Sequence, residues 1–151
     1  MTRTWPDDWE ARKRGDSCFF CGDLSVRSFH SGRVSEAILE RNGIAKGHAA
    51  VVFRGRHVAD FTSLSPNELT DYSQDVQIVA LAIERVFSPC HVNYLLLGNS
   101  VPHLHMHVVP RYLDDPAPER PLPWAPSPVP DELFAEQFQR LREAASSLRP
   151  K

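Results

Sequence analysis

"HLHMHVVP", residues 103–110, is the stretch whose reading decides the fold. Its three histidines fall two apart, the period at which strand side chains return to the same face. His103, His105 and His107 therefore share one face, and Leu104, Met106 and Val108 share the other. An unpaired imidazole is costly in a core, so the apolar face should meet a helix and the imidazoles a cleft. A suitable helix lies upstream in "SLSPNELTDYSQDVQIVALAIERVF", residues 63–87. Ser65 reads as its N-cap, Pro66 suits the first helical position and Glu68 completes a capping box. Leu69, Tyr72, Val76, Val79, Ile83 and Val86 recur at steps of three and four, the apolar stripe of a helix packed on something flat. Pro89 ends it.

Working outward, "HVNYLLLG" (91–98) reads as a strand that reaches the histidine strand through "NSVP". "RVSEAILE" (33–40) and "GHAAVVFRGRH" (47–57) read as two more, joined by the Gly-containing "RNGIAKG". "DDPAPERPLPWAPSPVP" (114–130) holds seven of the 13 prolines and must cross the domain in extended form. "DELFAEQFQRLREAASSL" (131–148) reads as a second helix, and residues 1–17 as a short helix or arm. Strands in adjacent pairs with two separate long helices predict one antiparallel α+β domain over residues 1–151, with helices covering one face.

Composition bounds the function. The 151 residues are 42% hydrophobic and 24% charged with a formal net charge of −2, which fits one globular domain and argues against a broad footprint for duplex nucleic acid. The charged N-terminus has no apolar signal region, and no run approaches the roughly 18 apolar residues of a membrane span. An odd count of three cysteines, Cys18, Cys21 and Cys90, does not suggest a disulfide framework. Cys18-x-x-Cys21 suggests metal or redox chemistry in a reducing compartment, and a cytoplasmic protein is the simplest account.

Three readings of the histidines compete on residue chemistry alone. They could place imidazoles on a catalytic Zn²⁺, although "GNSVP" and "VVPRY" offer no carboxylate to complete the set. They could build a structural zinc site. They could also supply a neutral imidazole that attacks phosphorus, with its neighbours handling charge and protons.

"GNSVPHLHMHVVPRY" resembles the signature of the histidine triad (HIT) superfamily in its spaced histidines, its preceding Gly-polar-Ser element and its trailing Pro110-Arg111. "GHAAVVFRGRHV" resembles the Gly-His-strand-basic-His element of the same superfamily. "NYLLLGN" and Trp124 are similar to a bacterial branch akin to diadenosine tetraphosphate hydrolases. The resemblance implies a sheet of about five strands with two main helices on one face.

It also implies site roles. His105 would attack the α-phosphorus and form a nucleotidyl-histidine, which water or another acceptor resolves. His107 would bond a phosphoryl oxygen or the scissile-bridge atom, and Asn99 and Ser100 would donate to the same phosphate. Glu40 or Asn42 would meet the ribose hydroxyls. Ile38 and Ile44 would pack on the base, Asn93 would line the cleft, and Trp124 would close over it. Zinc-bearing relatives combine the cysteine pair with a His of the second strand element and the first triad histidine. Here that set is Cys18, Cys21, His57 and His103, a closed tetrahedral and therefore structural Zn²⁺ site that would help orient His105. No helix follows Cys18 as a thioredoxin-like role would require.

The resulting expectation is a nucleotide phosphohydrolase or nucleotidyl transferase, acting on dinucleoside polyphosphates or nucleoside phosphoramidates. An adenine nucleotide is the expected partner, with no membrane and no duplex nucleic acid, and the protein is expected to be a homodimer. The rivals are a nucleotide-binding module without turnover and a metal-dependent hydrolase. His30, His48 and His91 receive no role, and Cys90 reads as a small buried hydrophobe.

Overall fold

The computed structural model describes residues 4–150. Its five strands are β1 (Ser28–Ser31), β2 (Ser35–Leu39), β3 (Ala49–Phe53), β4 (His91–Leu95) and β5 (His105–Arg111). They form one sheet in the order β1-β2-β3-β5-β4, antiparallel at each pairing. Three α-helices accompany them: α1 (Trp9–Arg14), α2 (Pro66–Phe87) and α3 (Asp131–Ser146). This is the expected α+β architecture, with the two long helices on one face.

β3, "AAVVF", is buried along its whole length, as an apolar run at a sheet centre must be. Its alternation sorts the molecule into two layers. Ala49, Val51 and Phe53 face α2 together with Leu104, Met106 and Val108, whereas Ala50 and Val52 face a smaller cluster containing Phe20, Leu24 and Ile38. The stripe expected on α2 packs into the larger core, with Tyr72, Val76, Val79 and Ile83 buried and Leu69 and Val86 half-buried. The capping box forms: Glu68 donates its backbone N–H to Ser65 Oγ, and Ser65 N–H reaches Glu68 Oε2. Inside the core, the Tyr72 hydroxyl donates to the Val51 carbonyl at 2.7 Å, so α2 is fixed to β3 by direction as well as by burial. Leu141, Ala144 and Ala145 of α3 complete this layer.

The elements differ from expectation in four places. β1, "SFHS", falls in a stretch too short and polar for periodicity to mark it. β3 and β4 stop short of the runs at 47–57 and 91–98. The histidine strand begins at His105, because the chain before it is drawn away: His103 donates its N–H to Val101, and Leu104 donates to the Val58 carbonyl. Cys90 is exposed and bonds through Sγ to the Arg111 carbonyl, so it is not a core residue.

Residues 114–130 cross the domain without helix or strand, as their prolines demand. Arg111 anchors the start of this strap through an ion pair with Asp115 and bonds to Asn93 Oδ1 and the Ala117 carbonyl. The far end pairs with the β2–β3 connection, Ser127 N–H to Gly43 at 3.0 Å and Val129 N–H to Arg41 at 3.1 Å.

A buried carboxylate closes the β1–β2 turn against α2. Asp75 accepts from the N–H groups of Arg33 and Val34 and from Ser35 Oγ at 2.7–3.0 Å. Gly32 permits that approach, since a Cβ there would lie 2.2 Å from Asp75 Cγ. Gly32→Ala should therefore expel the carboxylate and leave three donors short of an acceptor, lowering stability by about 3 kcal/mol in urea unfolding. A wild-type midpoint would show that the clasp contributes nothing.

Candidate active site

The face of the sheet away from α2 carries the imidazoles. β5 sets His105 opposite Val52 and His107 opposite Ala50, so two small or branched β3 side chains floor the rings. Phe20 lies against His105 with ring centroids 4.9 Å apart. The His105 and His107 rings meet edge to face at 4.9 Å. Burial lowers the basicity of His105, so the neutral form is the one presented.

Hydrogen bonds define which nitrogen of each ring carries its proton. His105 Nδ1 lies 2.6 Å from the His103 carbonyl oxygen. A carbonyl only accepts, so Nδ1 holds the proton and Nε2 holds the lone pair. The neighbouring pair is ordered by a backbone amide. Ile44 N–H donates to His48 Nδ1 at 3.2 Å, which leaves His48 Nε2 protonated. That nitrogen is 3.0 Å from His107 Nδ1, so His107 accepts there and carries its own proton on Nε2. The arrangement thus presents a nucleophilic lone pair on His105 beside a hydrogen-bond donor on His107. Burial, together with the neighbouring ring, pushes His48 down to about 3 and His107 down to about 4. Both rings stay neutral at pH 7.

Trp124 reaches this pair from the strap. Its ring is edge-on to His107 at 5.0 Å and to His48 at 5.8 Å. Glu40 donates its backbone N–H to the His48 carbonyl, which places it one strand over from the relay. Ile38, Glu40 and Asn42 line one cleft of about 690 Å³. Burial raises the Glu40 carboxyl, and Arg27 partly offsets the rise. Ile44 instead lines a separate depression with Pro110 and Tyr112, and it meets the site through its backbone. Asn93 is held by Arg111. Asn99 and Ser100 are exposed in the turn between β4 and β5.

Cys18, Cys21, His57 and His103 come together at one end of the same face, their ligand atoms all within 4.8 Å of one another. His103 Nε2 donates to the Phe53 carbonyl and His57 Nε2 to the Lys13 carbonyl, at 2.7 and 2.9 Å. Both Nδ1 lone pairs therefore turn inward toward the sulfurs, at 3.3–3.5 Å. Two soft sulfurs and two imidazoles oriented by carbonyls are a donor set that could hold a metal ion.

His48 is the residue that strand-by-strand reading missed. Its signal was available, because counting back by twos from Val52 and Ala50 along β3 reaches His48 on the histidine face.

Comparison with known proteins was consistent with this geometry. The HIT domain model matches residues 29–114. An uncharacterized HIT-like protein of Mycoplasma genitalium is 32% identical over 105 residues, 64% of this chain and 74% of that protein. The asymmetrical bis(5'-nucleosyl)-tetraphosphatase of Schizosaccharomyces pombe is 35% identical over 88 residues, 55% of this chain but 48% of the yeast enzyme. Among solved structures, a zinc-bound histidine triad family protein from Mycobacterium smegmatis superposes with a TM-score of 0.68 at 24% identity, covering 86% of this chain and 94% of that one.

The neutral relay has a thermodynamic signature. An unfolded histidine takes up a proton near pH 6.5, whereas His107 and His48 resist until about 4 and about 3. The unfolded state therefore binds more protons between these limits, and stability falls as pH drops through 6.5 toward 4. At pH 5 each ring should cost roughly 2 kcal/mol relative to pH 8. Urea titrations at both pH values check this. His48→Gln should flatten the dependence, and an unchanged slope would contradict the neutral relay.

Proposed function

Because the chain belongs to the HIT domain family, we propose that it is a nucleotide hydrolase or nucleotidyl transferase working through a covalent nucleotidyl-His105. The observation that carries this reading is the bond from His105 Nδ1–H to the His103 carbonyl, which leaves the lone pair on Nε2, the form that nucleophilic attack needs. The lone pair forms an N–P bond to the α-phosphorus while the bond to the leaving group breaks and the electron pair departs with that group. His107 Nε2–H donates to an oxygen on the same phosphorus or to the bridging atom, where negative charge grows. Water then attacks the phosphorus, the N–P bond breaks, and His105 recovers its lone pair as the nucleoside monophosphate and a proton leave. Asn99 and Ser100 supply further donors to the phosphate, and Glu40 and Asn42 hold the ribose. Trp124 shields the relay from bulk water.

Dinucleoside polyphosphates and nucleoside phosphoramidates both suit this chemistry, since each has a nucleoside on the attacked phosphorus and a leaving group beyond it. The named activity of the S. pombe relative favours the former. The test is incubation with diadenosine tetraphosphate and with adenosine phosphoramidate, measuring products and adenylylated protein. Wild type should turn over at least one, and His105→Ala should lose at least 10³-fold in turnover and all adenylylation. Retained turnover in the variant would remove the nucleophile, and nucleotide binding without turnover in wild type would leave a binding module.

The cysteine–histidine cluster is read as a structural Zn²⁺ site, held by Cys18, Cys21, His57 and His103. Bound there, the ion would cross-link the N-terminal segment to the start of β5 and hold Phe20 on His105. A homodimer is read from β4, one of the two edge strands, beside exposed Tyr94, Leu96, Leu97 and Leu113. Native mass spectrometry tests both at once: the expected species is two chains with two zinc ions. A zinc-free monomer would reject both. Catalytic metal would be indicated if chelation abolished turnover and left stability untouched.

A further inference from the structure

The cleft that holds Glu40 and Asn42 does not end at the sheet. Its outer wall is α3, through Phe134 and Phe138, and this helix lies beyond residues 29–114 that carry the family match. The wall is built rather than incidental. The Arg41 guanidinium lies over the Phe134 ring at 4.1 Å and forms an ion pair with Asp131 at the start of α3. The backbone of Arg41 is fixed in turn by the strap, through Val129 N–H. Phe134 packs against Phe138 with ring centroids 6.2 Å apart and planes inclined at 29°, and Phe138 meets the core at Phe29.

The position of this wall follows from the sheet. Ile38 pairs with Ala50, and Ala50 pairs with His107. Two strand spacings, roughly 10 Å, therefore separate the phosphate end of the site from the cleft. A nucleotide whose phosphorus meets His105 spans that distance and passes its ribose over Glu40. Its base then arrives at the open end of the cleft, which Ile38 lines from the imidazole side of the sheet and Phe134 lines from the α3 side. A planar heteroaromatic ring is the chemistry that such a wall accepts: the Arg41 guanidinium already covers the Phe134 ring, so the base meets the outer plane of that guanidinium or the edge of Phe134, and neither contact needs a particular hydrogen-bond pattern.

We propose that α3 is the outer wall of the nucleoside subsite and that Phe134, braced by Arg41, is a specificity-determining contact for the nucleobase. The proposal rests on the nucleotide reading above and refines which part of the ligand is recognised. Neither residue touches the reacting phosphorus, so both act on affinity.

The test compares adenosine monophosphate with ribose 5-phosphate, which keeps the ribose and phosphate and lacks the base. Dissociation constants are measured by calorimetry on the full chain, for wild type, Phe134→Ala and Phe134→Leu. Leucine keeps apolar packing onto Phe138 and removes the aromatic face, so it guards against a disturbed helix. Wild type should prefer adenosine monophosphate, and both variants should reduce that preference about tenfold. Equal losses for the two ligands, or unchanged affinity for adenosine monophosphate, would overturn the assignment, as would a wild type with no preference for the base. Binding is read independently of turnover. An inactive protein that shows the expected loss would refute the hydrolase reading and leave this one standing.

Discussion

The pleat of β5 is the constraint from which both faces of the molecule follow. A two-residue period cannot deliver Leu104, Met106 and Val108 to α2 without delivering His105 and His107 to the other side. Each large apolar side chain buried against α2 contributes about 2 kcal/mol, and a slip of one residue would reverse all of them at once. The position of the imidazoles is thereby secured by the stability of the opposite layer. They need no stabilising contribution of their own, which frees them to be held in a neutral, less solvated state.

His103 departs from that pleat, and its departure gives it two unrelated tasks. Its ring belongs to the cysteine cluster, where Nε2 is tied to Phe53 and Nδ1 faces the sulfurs. Its carbonyl belongs to His105, whose tautomer it fixes. A change that rotates the residue is therefore felt at both ends of the open face. Phe20, flanked by the two cysteines' segment and packed on both His103 and His105, links the same places a second time.

Features that depend on local period and on caps were legible in the residues. The α2 stripe, the Ser65–Glu68 box and the alternation of His105 and His107 all depend on spacing along one element, and all are found. Features that depend on approach between distant segments were not. β1 is four residues long and exists because β2 offers it an edge. Asn93 was expected to line the cleft from the adjacent strand; its bond from Arg111, which also holds the start of the strap, was not legible. Cys90 follows the same lesson: residue type suggested burial, and the end of a helix left it outside. His48 sits between these cases, since its face was legible but its partner His107 was 59 residues away. The wall from α3 is the extreme case, a helix whose own pattern says nothing about a cleft.

The direction of the His48–His107 pair is set by the main-chain N–H of residue 44. Eighteen of the nineteen possible replacements of Ile44 retain that N–H, and proline alone lacks it. The protonation pattern at the heart of the site is thus insulated from mutational drift at the position that imposes it. What this device requires is the shape of the loop, held by the strap through Ser127 N–H to Gly43, and not the chemical nature of the side chain at position 44.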